Sequence, residues 1–137
     1  MRRVIIESPF AGDIAANVLY ARHAMRHSLD QGEAPIASHL IYTQPGILDD
    51  SVEKERDQGI QAGYEWMDAA DLVAFYTDRG WSRGMIRALK MARILNKRIE
   101  VRSLGPSMPL SLDSVGQDNL LRELKSRSGT ARIFYES

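Results

Sequence analysis

Short apolar runs alternate along the chain with longer segments in which apolar residues recur at helical spacing. Val4–Ile6 and Leu72–Tyr76 have the length of buried strands, and the second run is apolar on both faces, as in a central parallel strand. Residues 34–42 predict a strand that runs into a loop, and residues 99–104 predict a fourth strand. Three intervening segments predict helices: residues 14–29, 52–67 and 85–95.

Strands that alternate with helices are joined by right-handed crossovers in a mainly parallel sheet. The sequence therefore predicts a three-layer α/β domain of the flavodoxin or Rossmann type, with about five strands in an order like 2-1-3-4-5. Residues 1–104 are predicted to form this core. Residues 105–137 are predicted to form a C-terminal extension packed on it, in which Ile133–Tyr135 is either a fifth strand or a docking tail.

Polar residues that can cap a helix precede each predicted helix. Asp13, Ser51 and Ser82 occupy these positions, where a side-chain oxygen accepts a free backbone N–H of the first turn. Gly32 is predicted to end the first helix.

Charge and composition exclude several classes of protein. The 137 residues include 18 Lys and Arg residues in total and 18 Asp and Glu residues in total, so the formal net charge is zero. The chain therefore lacks the basic surface of a protein that grips duplex nucleic acid. It has no cysteine, which excludes disulfides, thiolate metal sites and cysteine nucleophiles. No apolar run has the length of a membrane span, and Met1–Ile6 lacks the features of a signal peptide, so a cytoplasmic protein is expected.

Polar and glycine residues concentrate in three loops that follow predicted strands, at residues 7–13, 38–45 and 78–84. In a parallel α/β sheet, ligands bind beyond the carboxyl ends of the strands, so these loops form the predicted site. The loop Ser8-Pro9-Phe10-Ala11-Gly12 opens the first helix, whose N-terminus favours a phosphate or carboxylate. The alternative is a turn with a proline and a flexible glycine, and we weigh the two interpretations evenly.

The loop Gly80-Trp81-Ser82-Arg83-Gly84 repeats this arrangement at the third helix. Ser82 can cap the helix and still face a ligand. Arg83 either pairs with a phosphate or is a solvated arginine, and the second interpretation is favoured. Trp81 either stacks on a base or covers the core.

Histidines and glycines elsewhere give weaker signals. His39 is a candidate substrate contact or proton carrier, although a structural histidine is commoner. His23 and His27 lie one helical turn apart, but no third ligand accompanies them, so no metal site is predicted. Gly59 and Gly63 suggest the close approach of a backbone or a ligand, because glycine is costly within a helix.

Several of these segments occur in a characteristic order: Ser8–Gly12 after the first strand, Asn17 and Tyr20-Ala21 in the first helix, Pro35–His39 with Tyr42, Ala70–Val73, and Gly80–Gly84. In this order the chain resembles the nucleoside 2-deoxyribosyltransferase-like superfamily. It is most similar to a branch of small phage and bacterial domains with a Ser-Pro-aromatic-Ala-Gly opening. The resemblance spans about residues 3–102.

The resemblance implies a flavodoxin-like sheet that binds a nucleoside or nucleoside monophosphate at its strand ends. Active members cleave the N-glycosidic bond with a glutamate on the helix after the third strand, where a carboxylate faces an oxocarbenium-like centre. No cofactor is predicted. Members commonly form dimers or larger oligomers, so a homo-oligomer is expected, with Tyr64, Trp66 and Met67 of the second helix contributing to the interface.

The chain departs from that superfamily at its acidic residues. The expected glutamate aligns near Ala88, and an aspartate that transferase-like relatives carry in the second helix aligns near Gly63, so both carboxylates are missing. The remaining candidates are Glu7, Asp13, Asp78 and Glu65. Glu7 and Asp78 lie at strand ends and are the predicted catalytic acids, whereas Asp13 is better placed to cap a helix.

Two functions follow from the resemblance and from the missing acids. The first is an enzyme, an N-glycosidase or deoxyribosyl transferase, that uses Glu7 or Asp78. The second is a catalytically lapsed nucleotide-binding protein that serves as a sensor or sequesters its ligand, and a bare interaction scaffold is a third, weaker alternative. The predicted ligand-binding residues are Ser8, Pro9, Phe10, Gly12, Asp13, His39, Tyr42, Gly80, Ser82, Arg83, Gly84 and Met85.

Overall fold

A parallel β-sheet with helices on both faces forms the part of the chain that the computed structural model describes, residues 1–105. Its four strands lie in the order β2-β1-β3-β4, which confirms the predicted α/β class and strand order for these residues. The elements are β1 (Arg3–Glu7), α1 (Ile14–Asp30), β2 (Ala34–Ile36), α2 (Ser38–Ile41), α3 (Glu53–Ala69), β3 (Leu72–Tyr76), α4 (Arg83–Ile94) and β4 (Arg98–Arg102). The candidate strand Ile133–Tyr135, like residues 106–137 as a whole, lies outside the described residues.

The two central strands separate two apolar clusters. Side chains of Val4 and Ile6 face α1, whereas Ile5 between them packs on the side of α3 and α4. This alternation follows from the two-residue repeat of a strand. All five residues of β3 are fully buried, which confirms the prediction that β3 is a central strand. Both of its faces are covered, and its one polar side-chain group, the Tyr76 hydroxyl, accepts a hydrogen bond from Arg102.

Two of the three predicted caps are present. The Asp13 carboxylate accepts the N–H of Ala16 at 3.2 Å, and the Ser82 hydroxyl accepts the N–H of Met85 at 3.2 Å. The predicted cap at Ser51 is wrong. Its N–H and hydroxyl both donate to the Asp49 carboxylate in the preceding turn, so α3 begins without a side-chain cap.

The second strand is shorter than the sequence suggests. Its ladder with β1 ends at the pair Ile5 and Ile36, and β2 is an edge strand, so no further neighbour extends it. The backbone then turns into the short helix α2, in which the Ala37 carbonyl accepts the N–H groups of Leu40 and Ile41. This turn replaces the predicted loop and directs residues 38–42 towards α3.

A buried ion pair ties β4 to the segment before β2. The Arg102 guanidinium donates to both carboxylate oxygens of Glu33 at 2.8 Å, and the Ser28 hydroxyl and the Arg2 guanidinium donate to the same carboxylate. The side chains of Arg102 and Glu33 are only 7% and 3% exposed. The hydrogen bonds from Arg102 are the largest influence on the Glu33 carboxyl, and they lower its pKa to about 2.

We expect Arg102→Met to lower the free energy of unfolding by about 3–5 kcal/mol, because it leaves a buried carboxylate without its main partner. Arg98→Met on the same strand is the matched control. Its guanidinium lies 3.7 Å from the Glu100 carboxylate and is 67% exposed, so the cost should stay below about 1 kcal/mol. Urea unfolding at neutral pH measures both variants, and equal losses would contradict the role given to the buried pair.

Candidate functional site

A cavity of about 400 Å³ opens at the carboxyl end of β1, between α2, α3 and the first turns of α4. We refer to it as the cavity. The residues that line it are Glu7, Ser8, Phe10, Ala11, Ser38, His39, Tyr42, Thr43, Leu48, Asp50, Glu55, Arg56, Gly59, Ile60, Gly63, Tyr64, Ser82, Arg83, Gly84, Met85, Arg87 and Ala88. Its volume falls within the range of small-molecule sites, about 300–1,000 Å³.

Glu7 and Ser8 at the carboxyl end of β1, and His39 in α2, line the cavity, and we call these three residues the floor. Glu7 is the last residue of β1 and pairs with Phe75 of β3. Within residues 1–105, its carboxyl receives no hydrogen bond and forms no ion pair. Desolvation by burial raises the pKa of this carboxyl to about 8, so Glu7 is mostly protonated at neutral pH.

The Ser8 hydroxyl lies 2.7 Å from Nε2 of His39. Burial lowers the pKa of His39 to about 4, so the imidazole is neutral at neutral pH. Its Nδ1 is buried and has no hydrogen-bond partner among the described residues. An unpaired lone pair is less costly there than an unpaired N–H, which favours the tautomer in which Nε2–H donates to Ser8. The hydroxyl proton of Ser8 is then free to point towards a ligand.

The pair of Ser8 and His39 does not have the properties of an activated serine nucleophile. A catalytic histidine needs a third group on Nδ1 to stabilise the imidazolium, and Nδ1 of His39 has none in residues 1–105. The low pKa of His39 also makes it a weak base. The pair can therefore present the Ser8 hydroxyl as a hydrogen-bond donor.

Small residues of α3 and α4 form the walls. A Cβ atom at Gly63 would lie 2.8 Å from the Ser38 hydroxyl oxygen, and one at Gly59 would lie 3.2 Å from Leu48, so the close approach predicted at these glycines is present. Ala88 of α4 also lines the cavity. Gly63 and Ala88, near which the resemblance aligns the superfamily's two acids, thus both line the cavity and have no carboxylate.

Three arginines, Arg56, Arg83 and Arg87, line the cavity, and we call this region the mouth. Within residues 1–105 their guanidinium groups form no ion pair or hydrogen bond. Arg56 and Arg87 also line a neighbouring cavity of about 330 Å³. Unpaired cations at the edge of a cavity favour an anionic ligand.

The N-terminus of α4 adds to the positive character of the mouth. The Ser82 hydroxyl is used to cap Met85, whereas the backbone N–H groups of Arg83 and Gly84 lie in the first turn, where no intrahelical acceptor exists. Both residues line the cavity. The helix dipole and these free donors suit a phosphate or carboxylate.

Asn17 of α1 connects two of the loops around the site. It is buried, and its amide donates to the carbonyls of Phe10 and Ala11 at 3.0 Å. Its amide oxygen accepts the Nε–H of Arg79 at 2.9 Å. The loop after β1 is thereby fixed relative to the loop after β3.

Most of the residues that the sequence nominates line the cavity: Glu7, Ser8, Phe10, His39, Tyr42, Ser82, Arg83, Gly84 and Met85. Five others, Pro9, Gly12, Asp13, Asp78 and Gly80, are not among its lining residues. Gly12 and Gly80 have positive φ angles of 98° and 85°, which explains glycine in these turns. Asp13 caps α1.

The Asp78 carboxylate is engaged in hydrogen bonds away from the cavity. It accepts the Tyr20 hydroxyl at 2.6 Å, the Leu104 N–H at 2.9 Å, and the Ser103 hydroxyl. These contacts bend the chain after β4, which is why the strand predicted to extend to residue 104 ends at Arg102. Asp78 therefore joins α1, β3 and the end of β4.

Sequence reasoning did not nominate Arg56, Ile60 and Tyr64 of α3, or Arg87 of α4, as ligand contacts. Two signals were available. Arg56, Ile60 and Gly63 lie three or four residues apart and so share one helix face, and Arg87 follows Arg83 by one turn. The apolar residues of α3 instead predict a homo-oligomer interface at Tyr64, Trp66 and Met67, but Met67 is fully buried in the core.

Both tryptophans have partners in the protein. Trp81 stacks on Phe75 with ring centroids 5.1 Å apart, which agrees with the interpretation that it covers the core. The indole N–H of Trp66 donates to the Tyr42 hydroxyl at 2.7 Å, and the ring is 49% exposed. Trp66 thus supports a residue that lines the cavity.

The histidines of α1 have no ligand set around them. His27 Nδ1 lies 2.8 Å from the Tyr76 hydroxyl. Across residues 1–105, no group of three or more His, Cys, Asp or Glu side chains is arranged to hold a metal ion. Over the same residues, no helix combines the length and apolar character needed to cross a membrane.

Comparison with known proteins identifies a family and a shared fold. Residues 2–102 match the model of a family described as a domain of unknown function, DUF7768. None of the curated proteins matches the chain. A 2-deoxyribosyltransferase from the psychrotolerant bacterium Bacillus psychrosaccharolyticus has a similar structure, with a TM-score of 0.60, 16% identity, and coverage of 85% of this chain and 80% of that chain. A CMP N-glycosidase from Clostridium botulinum gives a TM-score of 0.47 and 12% identity over 93% of this chain and 83% of that one. The likeness to the transferase shows a common fold.

We expect Glu7→Gln to stabilise the protein at alkaline pH. The folded-state pKa of about 8 lies above the ordinary value of 4.5, so between these values the unfolded chain loses a proton that the folded chain keeps. Wild-type stability therefore falls as pH rises through this window, whereas glutamine does not titrate. Urea unfolding should give the variant a higher free energy of unfolding than the wild type at about pH 9, but not at about pH 4. Glu65→Gln, at an exposed position of α3, is the control, and equal behaviour of the two variants would refute the assignment.

Proposed function

The chain belongs to the DUF7768 family, and we propose that it binds a nucleoside monophosphate in the cavity and cleaves its N-glycosidic bond. The observation that carries the proposal is the polarity of the cavity. Its floor holds a desolvated carboxyl, and its mouth holds three arginines that form no ion pair within residues 1–105, beside a helix N-terminus. A nucleoside monophosphate has the matching polarity, with an anionic end and a largely uncharged end.

The phosphate end is assigned to the mouth. Arg83 and Arg87 lie one turn apart on α4, and Arg56 of α3 lines the same cavity. Guanidinium groups form short, charge-assisted hydrogen bonds to phosphate oxygens. The free N–H groups at Arg83 and Gly84 supply further donors at no cost to the helix.

The nucleoside end is assigned to the floor and walls. Gly63 and Ala88 place no polar side chain on the wall, and Ile60, Tyr64 and Met85 give this region apolar surface. The Ser8 hydroxyl, held by His39, supplies a donor. Aromatic and apolar walls with few polar groups are the usual surroundings of a bound base or sugar.

Glu7 is the acid that this proposal assigns to the chemistry. Among the described residues, Asp50 and Glu55 also line the cavity, but Glu7 is the acid at the carboxyl end of β1 beside Ser8. Asp78, the other predicted catalytic acid, is held by Tyr20, Ser103 and Leu104 instead. The fold shared with a 2-deoxyribosyltransferase supports a reaction at the N-glycosidic carbon. Glycoside cleavage proceeds through an oxocarbenium-like transition state in which a nearby carboxyl takes part.

A second candidate is a protein that binds the nucleotide without cleaving it. The observation in its favour is that Ala88 and Gly63 line the cavity where the resembling superfamily carries carboxylates. The release of free base separates the two candidates. Chromatography after incubation with a panel of nucleoside monophosphates should show free base, and saturable binding with no base release would establish the second candidate.

We expect Arg87→Met to weaken binding of a nucleoside monophosphate by about tenfold to a hundredfold, because a hydrogen bond to a charged group contributes about 1.5–3 kcal/mol. Binding of the corresponding nucleoside should change little. Arg93→Met, an exposed arginine in the last turn of α4, is the matched control. Isothermal titration calorimetry measures these affinities. The placement of the phosphate would be contradicted if Arg87→Met lost as much affinity for the nucleoside as for the nucleotide. It would also be contradicted if Arg93→Met lost as much affinity for the nucleotide as Arg87→Met.

A further inference from the structure

The Glu7 carboxyl lies in surroundings that do not stabilise its charged form. It ends the central strand β1, and the residue that pairs with it in the sheet is Phe75 of β3, which is fully buried and apolar. No donor or cation among residues 1–105 contacts it. An isolated carboxylate is costly to bury, and in such places the group keeps its proton.

The other titratable groups around the cavity do not change this conclusion. They come from α2 and the following loop (His39, Tyr42 and Asp50), from α3 (Glu55, Arg56 and Tyr64) and from α4 (Arg83 and Arg87). His39 is neutral and already bonded to Ser8. Burial is the main cause that raises the pKa of Tyr64, so this residue also keeps its proton. None of the three arginines forms an ion pair with Glu7.

A protonated carboxyl cannot act as a nucleophile, nor can it stabilise a positive sugar by its charge. What it offers is a proton. The cleavage of an N-glycosidic bond has a use for one, because the departing base carries away the bonding electron pair and is a poor leaving group as an anion. The wall residues Gly63 and Ala88 have no carboxyl group that could donate this proton.

We propose that Glu7 is the general acid of this site, and that its substrates are nucleotides whose base has a basic ring nitrogen. As the bond between C1′ and the base nitrogen breaks, its electron pair goes to the base, and the Glu7 proton moves to a ring nitrogen. Water adds to C1′ and gives up a proton that restores the Glu7 carboxyl. The products are the neutral base and the pentose phosphate. This inference rests on the proposed function.

The substrate class follows from the chemistry of the proton acceptor. Adenine, guanine and cytosine have a ring nitrogen with a free lone pair, whereas the corresponding nitrogen of uracil and thymine bears hydrogen. The enzyme should therefore release adenine, guanine or cytosine from their monophosphates faster than uracil or thymine. Comparable release of uracil would overturn the assignment of the substrate class.

The role of Glu7 is tested with Glu7→Gln, which keeps the shape and loses the acidic proton. We expect the variant to bind adenosine monophosphate within a few-fold of the wild type, and to release adenine at least about a hundredfold more slowly. Glu65→Gln, away from the cavity, should behave as the wild type. A variant at position 7 that retains the wild-type rate would overturn the inference.

Two further readouts separate proton donation from a structural effect. The wild-type rate should be level below about pH 7 and fall roughly tenfold per unit above about pH 8, and a rate that rises through this range would mean that the carboxylate is the active form. Nicotinamide leaves its mononucleotide as a neutral base without accepting a proton. Glu7→Gln should therefore release nicotinamide at about the wild-type rate. If Glu7→Gln slowed the release of adenine and of nicotinamide equally, Glu7 would not be acting as an acid.

Different results would refute the proposed function and the role of Glu7. No binding of any nucleotide by the wild type would refute the proposed function. Binding without release of any base would refute the proposed cleavage and leave nucleotide binding in place. Base release that Glu7→Gln retains at the wild-type rate would refute Glu7 as the acid and leave the proposed function in place.

Discussion

The parallel pairing of β1 with β3 is the constraint on which the cavity depends. Its register sets Glu7 beside Phe75, and all four described strands run in the same direction, so the segments that follow β1, β2 and β3 meet at one edge. Asn17 then joins the first and third of these segments through three hydrogen bonds. Without this pairing, the floor at Glu7 and the N-terminus of α4 would not face the same space.

The division of charge along the cavity is the second consequence of the fold. Groups on the floor are desolvated by the sheet, so the carboxyl of Glu7 and the imidazole of His39 are both uncharged at neutral pH. The arginines of the mouth lie in the first two turns of α3 and α4 and are partly or fully exposed, and a guanidinium keeps its charge in such surroundings. A ligand with one anionic end is thereby oriented before any specific contact is made.

The sequence was informative where one local pattern determines the structure. The apolar run at 72–76 and the capping residues Asp13 and Ser82 gave the central strand and two helix starts, because each depends on a few neighbouring residues. It was misleading at Ser51, whose hydroxyl has a competing acceptor in Asp49, and after Ile36, where the end of a ladder cannot be seen from one strand alone.

In the candidate site, too, the sequence did not reveal contacts that depend on residues distant along the chain. Ser8, His39 and Ser82 were nominated because loops at strand ends meet in this fold, and they do line one cavity. Asp78 was nominated for the same reason, but the sequence contains no sign that Tyr20, Ser103 and Leu104 would occupy its carboxylate. The contribution of α3 to the wall depends on packing between helices, which single-sequence patterns do not specify.

A nuclear magnetic resonance titration of the labelled protein with a nucleoside monophosphate tests the central claim, that this cavity binds a nucleotide with its phosphate at the mouth. The account predicts saturable shifts of the backbone amides of Ser8, Gly63 and Gly84, with little change at Arg26 on the exposed face of α1. The shift at Gly84 should depend on the phosphate and be lost with the nucleoside. Shifts confined to α1, or none at millimolar nucleotide, would contradict it.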